Sequence, residues 1–292
     1  MMQVKPWDFM VKYTPQREWI EGHGILVAFA MFFGGVSGGL YLASLFFGNL
    51  TGMVIAWALA ALAGLVDMAH LSKRMRFWRM MLKPGSSWIS RGFILIFLFL
   101  GAAGIQILIT WLAPGNAWEI LFKVVAGVLA FGVAIYSGFA IGIVGAIKLW
   151  NSGLVPILYV VSGLAGGLAV VMLVSLNQDA ASLVTISNYL LAALVIDAIF
   201  VATYFWSATY SSVTARDSAV RVMKGKIAPA FWIGVVVLGL IIPIALVAPF
   251  SLSQSASTVA FGIAAVGAII GGIMLRYVIL KGGMYSPLLP DE

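Results

Sequence analysis

The chain has 292 residues, 62% hydrophobic and only 9% charged, with a mean hydropathy of +1.07; soluble domains carry about 25% charged residues, so this is an integral membrane protein. It contains no cysteine, which excludes disulfides, thiolate zinc sites and cysteine-ligated iron–sulfur clusters within the chain. The net charge of +7 comes from basic residues in short segments beside apolar runs, a pattern of membrane topology and not of nucleic-acid binding.

Residues 1–22 are polar and mixed in charge, and the apolar run after them is too long for a cleavable signal. A bilayer core about 30 Å thick needs about 20 apolar helical residues. The sequence predicts eight such helices, at 24–47, 50–71, 90–112, 120–147, 154–176, 183–210, 228–250 and 257–280. The fourth and sixth exceed the requirement and are expected to tilt. Gly34, Gly35, Gly38 and Gly39, then Gly163, Gly166 and Gly167, then Gly267, Gly271 and Gly272 predict close helix packing. Pro243 predicts a kink in the seventh span. Trp57, Trp88, Trp111, Trp118, Trp150, Trp206, Tyr210 and Trp232 fall at span ends and read as interfacial anchors.

Every Lys and Arg but Lys123 falls in the amino-terminal segment, an even-numbered loop or the carboxy-terminal end, to which Arg276 and Lys281 are assigned. Both termini and the basic loops are therefore expected on the cytoplasmic side. The basic 2–3 and 6–7 loops stand four helices apart, and similar glycine patterns recur at Ser37 and Ser162. The expected fold is an all-α integral membrane protein of eight transmembrane helices. These divide into two four-helix bundles in parallel repeat, 23–147 and 148–281, with a tail at 282–292.

Ionisable groups inside a bilayer are costly and so are candidates for function. His23 opens the first span, Asp67 and His70 close the second, and Arg91 opens the third. All four lie at similar depth, and Asp67 and His70 share a helix face, which suggests a proton-conducting cluster. Tyr136 and Asp197 lie deeper, with Gln106 as a neutral companion. Each has a plainer reading: headgroup contact for the histidines, snorkelling or helix-end binding for Arg91, ion pairing with Arg74 or Arg91 for Asp67, packing for Tyr136, and an interhelical hydrogen bond for Asp197. Together they suit a lipid-soluble redox carrier, which needs a greasy approach, hydrogen bonds to its ring oxygens and groups that exchange protons. With no redox centre of its own, such a chain passes electrons to a partner docked on its basic face, where Arg74, Arg76, Trp78, Arg79 and Trp88 lie. Two other readings stay open: a b haem held by His23 and His70, and a secondary transporter of a small solute.

The segment HLSKRMRFWRMMLKPGSSWISRG (70–92), with GGVSGGLYL (34–42) and AIYSGFAIG (134–142), resembles the NrfD-type family of quinone-reactive membrane subunits, which includes the polysulfide reductase anchor. The resemblance covers the whole chain. It implies an anchor in the cytoplasmic membrane with no haem or cluster in this chain. Such an anchor exchanges electrons between a quinone, menaquinone or ubiquinone, and a ferredoxin-like iron–sulfur subunit serving a molybdopterin-type or other redox catalytic subunit. It further implies that His23 and Tyr136 bind the quinone ring, with Gly35 and Gly38 beside it. Some members are thought to move protons, for which Asp67, His70, Arg91 and Asp197 are the expected route. In many members the redox subunits sit on the outer face; the charge distribution here points to the cytoplasmic one.

Overall fold

The apolar runs form helices that start where the sequence offers a backbone partner. The computed structural model describes residues 13–70 and 74–287, with the backbone alone for His70, Arg74 and Met75. Six spanning helices come first: α1 (Ile25–Phe47), α2 (Leu50–His70), α3 (Trp88–Leu112), α4 (Ala117–Gly142), α5 (Leu154–Val174) and α6 (Ala180–Ser211). A short helix, α7 (Val213–Lys224), follows. The seventh span joins a π-helical stretch (Ala230–Ile241) to α8 (Ile242–Leu252), and α9 (Thr258–Gly282) is the eighth. Ser87, Asn116, Asp179, Ser212 and Ser257 cap α3, α4, α6, α7 and α9 by accepting from a backbone N–H three residues on, satisfying donors that a helix start leaves bare. α1 ends at Gly48, whose φ of 65° is a left-handed cap that glycine adopts without strain.

In the seventh span Pro243 lies where the backbone changes from π to α; a proline has no N–H with which to continue the wider spiral. α4 stops at Gly142, short of the expected end near 147. The chain then turns inward, because Trp150 is fully buried and donates its Nε1–H to the Ile279 carbonyl at 2.7 Å. Trp150 is thus a core residue and not an interfacial anchor. Trp111, Trp118, Trp206 and Tyr210 are strongly exposed, as anchors are.

α1 is the central element, packed on α2, α4 and α5 and more lightly on α9. The two glycine patterns that hinted at a repeat meet each other along α1 and α5. A Cβ on Gly39 would fall 2.2 Å from the Gly163 carbonyl oxygen, and one on Gly163 2.6 Å from that of Gly35. No side chain larger than hydrogen fits this seam, which is how small residues pack helices in lipid.

Residues 14–16 meet residues 280–285 at one end of the helices. A two-residue strand, β1 (Thr14–Pro15), pairs antiparallel with β2 (Met284–Tyr285). Gln16 donates to the Leu280 carbonyl, and the Trp19 ring stands edge-on to Trp150 at 5.4 Å. These contacts fix residues 14–19 beside the start of α1.

Candidate functional site

α1 to α4 converge with residues 18, 19 and 80 around a cavity of about 540 Å³, within the roughly 300–1,000 Å³ usual for small-molecule sites. Val27 and Met31 of α1, Ile89 and Phe93 of α3, Ala140 of α4 and Met80 make its apolar walls. Among the described lining residues the ionisable side chains are Glu18, Asp67 and Tyr136. Asp67 lies three residues from the end of α2 and Tyr136 six from the end of α4, about 9 Å in by helical rise.

The Tyr136 hydroxyl on α4 and the Asp67 carboxyl on α2 lie within electrostatic reach of each other in the cavity wall. Two glycines make the slot for the ring. A Cβ on Gly92 would fall 2.1 Å from Tyr136 Cδ2, so the ring lies directly against the α3 backbone. A Cβ on Gly34 would fall 3.7 Å from Cε1, in ordinary contact. Tyr136 is 7% exposed and Asp67 is half-buried. A buried hydroxyl paired with a carboxyl at an apolar wall can donate to a ligand carbonyl and pass the proton on.

Other expected site residues stand elsewhere. His23 is exposed on a 3-10 turn (Gly22–Gly24) before α1 and is not in the cavity lining. Gly35 and Gly38 stand at helix contacts, outside the described cavity lining: a Cβ on Gly35 would meet Arg276 Nη2 at 3.1 Å, and one on Gly38 the Ala130 carbonyl oxygen at 2.3 Å. Arg91 donates to the Pro84 and Gly85 carbonyls at 2.7 and 2.8 Å and lies over the Trp88 ring, which stacks on Phe139. It therefore holds the turn before α3. The side chains of His70 and Arg74 lie outside the described residues. On the 3-10 helix Arg74–Leu82, Arg76, Trp78 and Arg79 are exposed, with the Arg79 guanidinium 5.5 Å from the Trp78 ring centre.

Asp197 lies outside the described lining of this cavity. It is buried in α6 against Ser162, Gly271 and Gly272, and its Oδ1 has no hydrogen-bond partner among the described residues. The charge near it is Arg276, which charge counting along the sequence assigns to the carboxy-terminal end. Arg276 is in fact wholly buried within α9, donating to the Gly272 and Tyr159 carbonyls, both at 3.2 Å, and lying over the Tyr159 ring. Its position inside an apolar run is the signal for it. Gln106 lies apart from both tyrosine and aspartate sites. It accepts from Tyr41 at 2.6 Å and donates to Thr110 at 2.7 Å, in a network that ends on the Glu119–Lys123 ion pair.

Sequence reasoning also misses Glu18 and Gly92. Glu18 sits in a polar segment with no periodicity to place it, and it accepts a hydrogen bond from Tyr285 of β2 at 2.9 Å. Burial, and then that bond, push the Tyr285 hydroxyl up to about 12.

The family model described as "Polysulphide reductase, NrfD" matches residues 19–287. Over 173 residues the protein is 27% identical to a polysulfide reductase subunit of Wolinella succinogenes, an alignment covering 55% of this protein and 53% of that one. It thus spans about half the length of the curated relative it matches. The family match takes in all eight spans and every cavity-lining residue except Glu18, and the chain accordingly belongs to the NrfD polysulphide reductase family.

Proposed function

We propose that this chain is the quinone-reactive membrane subunit of a multisubunit oxidoreductase. It carries electrons between quinones of the membrane and an iron–sulfur protein docked beside its 74–88 segment. The observation that supports this reading best is the Tyr136–Asp67 pair in the wall of an apolar cavity, in a chain of this family. A bound quinone supplies two-electron, two-proton chemistry. Tyr136 donates its hydroxyl hydrogen to a ring oxygen, and Asp67 holds the proton that replaces it or takes the one that returns. Val27, Met31 and Phe93 keep water from the ring. In this reading His23, on the exposed turn leading into α1, belongs to the mouth of the site and not to its base. Arg76, Trp78 and Arg79 present two guanidinium groups and an indole to an acidic partner.

The test is the affinity of the assembled complex for 2-heptyl-4-hydroxyquinoline N-oxide, a quinone-site ligand whose fluorescence reports binding. Tyr136→Phe and Asp67→Asn should each weaken it by about 5- to 10-fold, the value of about one lost hydrogen bond, and should slow quinone-linked turnover. Variants that assemble normally and match the parent in both measurements would refute the assignment.

A further inference from the structure

We infer that Glu18 is the proton-exchange carboxylate of this cavity, the group through which Asp67 and Tyr136 trade protons with water. The inference rests on the reading above. Its basis is an ordering of exposure around one cavity: Glu18 is exposed, Asp67 half-buried and Tyr136 7% exposed. A buried hydroxyl–carboxyl pair can re-protonate only through groups that share its cavity and reach solvent. Among the described lining residues, Glu18 alone is both ionisable and exposed. Among the described residues, two nearby cations are engaged elsewhere: Arg91 with the Pro84 and Gly85 carbonyls, and Arg17 with Glu21 at 3.9 Å.

The fold also holds Glu18 in place. Tyr285 donates to its Oε2 at 2.9 Å, and Tyr285 is itself fixed by pairing with Thr14 and by a bridge to Ile147. The adjacent Trp19 is wedged on Trp150. A carboxylate tethered through one oxygen keeps the second for taking up a proton. Among the described residues, the charged and titratable groups near it are Arg17, Glu21 and His23 on its own segment, Tyr285 on β2, and Asp67 and Tyr136 across the cavity.

The proton balance is simple. Reducing one quinone takes two electrons, delivered singly by the iron–sulfur partner, and two protons. Each proton leaves the Tyr136–Asp67 pair for a ring oxygen. Glu18 then returns a proton to Asp67 through water in the cavity and regains its own from bulk solvent. Quinol oxidation runs the same steps backwards, with two protons released.

Glu18→Gln separates this role from a structural one, because the amide oxygen still accepts from Tyr285 but the group cannot carry a proton. In the assembled complex, hydroxyquinoline N-oxide affinity should stay within about twofold. Dye-detected proton uptake on reduction, and turnover with it, should fall about 10- to 100-fold. Added formate, a small diffusible acid, should restore part of the rate, and Glu18→Asp should retain most of it. Full proton uptake in Glu18→Gln would overturn the inference and leave the quinone site standing. Lost affinity without formate rescue would also overturn it, making Glu18 a structural part of the mouth. A parent complex that does not bind the N-oxide at all would sink the quinone reading itself.

Discussion

Gly92→Ala tests the geometry of the site with a single methyl. The new Cβ would fall 2.1 Å from Cδ2 and 2.4 Å from Cε2 of the Tyr136 ring, where carbon atoms normally approach to about 3.5–4 Å. The ring must therefore move by about 1.5 Å, or α3 must separate from α4. Overpacking of this kind costs about 1–3 kcal/mol. A displaced ring also carries its hydroxyl away from Asp67 and from the position in which it would meet a ligand, where a hydrogen bond is worth about 0.5–1.5 kcal/mol. Thermal unfolding in detergent reads the first loss, and hydroxyquinoline N-oxide titration the second, expected as a fall of about fivefold or more. Gly101→Ala is the control on the same helix. Its Cβ meets nothing within 4 Å, so it should be neutral or stabilising by up to about 1 kcal/mol. If Gly92→Ala proved indistinguishable from Gly101→Ala, the ring would not lie against α3 and the slot would be wrong.

Arg276→Met should destabilise the chain by about 3–5 kcal/mol, because it leaves the buried Asp197 without its neighbouring cation. The loss should shrink in an Asp197→Asn background, and strictly additive losses in detergent unfolding would show that the two groups do not sense each other. Gly163→Val places its Cβ 2.6 Å from the Gly35 carbonyl oxygen; about 1–3 kcal/mol of stability should go, and unchanged unfolding would refute the contact between α1 and α5. Trp78→Ala with Arg79→Ala should leave unfolding within about 0.5 kcal/mol of the parent. The same pair should weaken capture of the iron–sulfur partner by about tenfold and flatten its salt dependence; capture at parental strength would move the docking surface elsewhere.

The eight spans were legible because each is a run of apolar residues, and most of them begin or end at a side-chain cap or a glycine; both signals are local. Tyr136 and Asp67 were legible as polar residues where lipid disfavours them, but their pairing was not, since it depends on the rotation of α4 against α2. The glycines show how fine that dependence is. Successive residues on a helix point about 100° apart, so Gly34 faces Tyr136 while Gly35 faces Arg276, and composition cannot say which. Arg276 was hidden by its nearness to the end of the last helix, where a cation usually reaches water. Glu18 was hidden for the opposite reason: it lies in a segment that looks solvated throughout, and its place is set by residues more than 260 positions later.

That last dependence bears on how the protein is made. Residues 14 and 15 are synthesised before all eight spans but have no strand to lie against until Met284 and Tyr285 have followed the eighth span out of the ribosome. The rim of the cavity thus matures only after all eight spans have been made. Polypeptides truncated before residue 284 would insert their helices with Glu18 untethered and the mouth unframed.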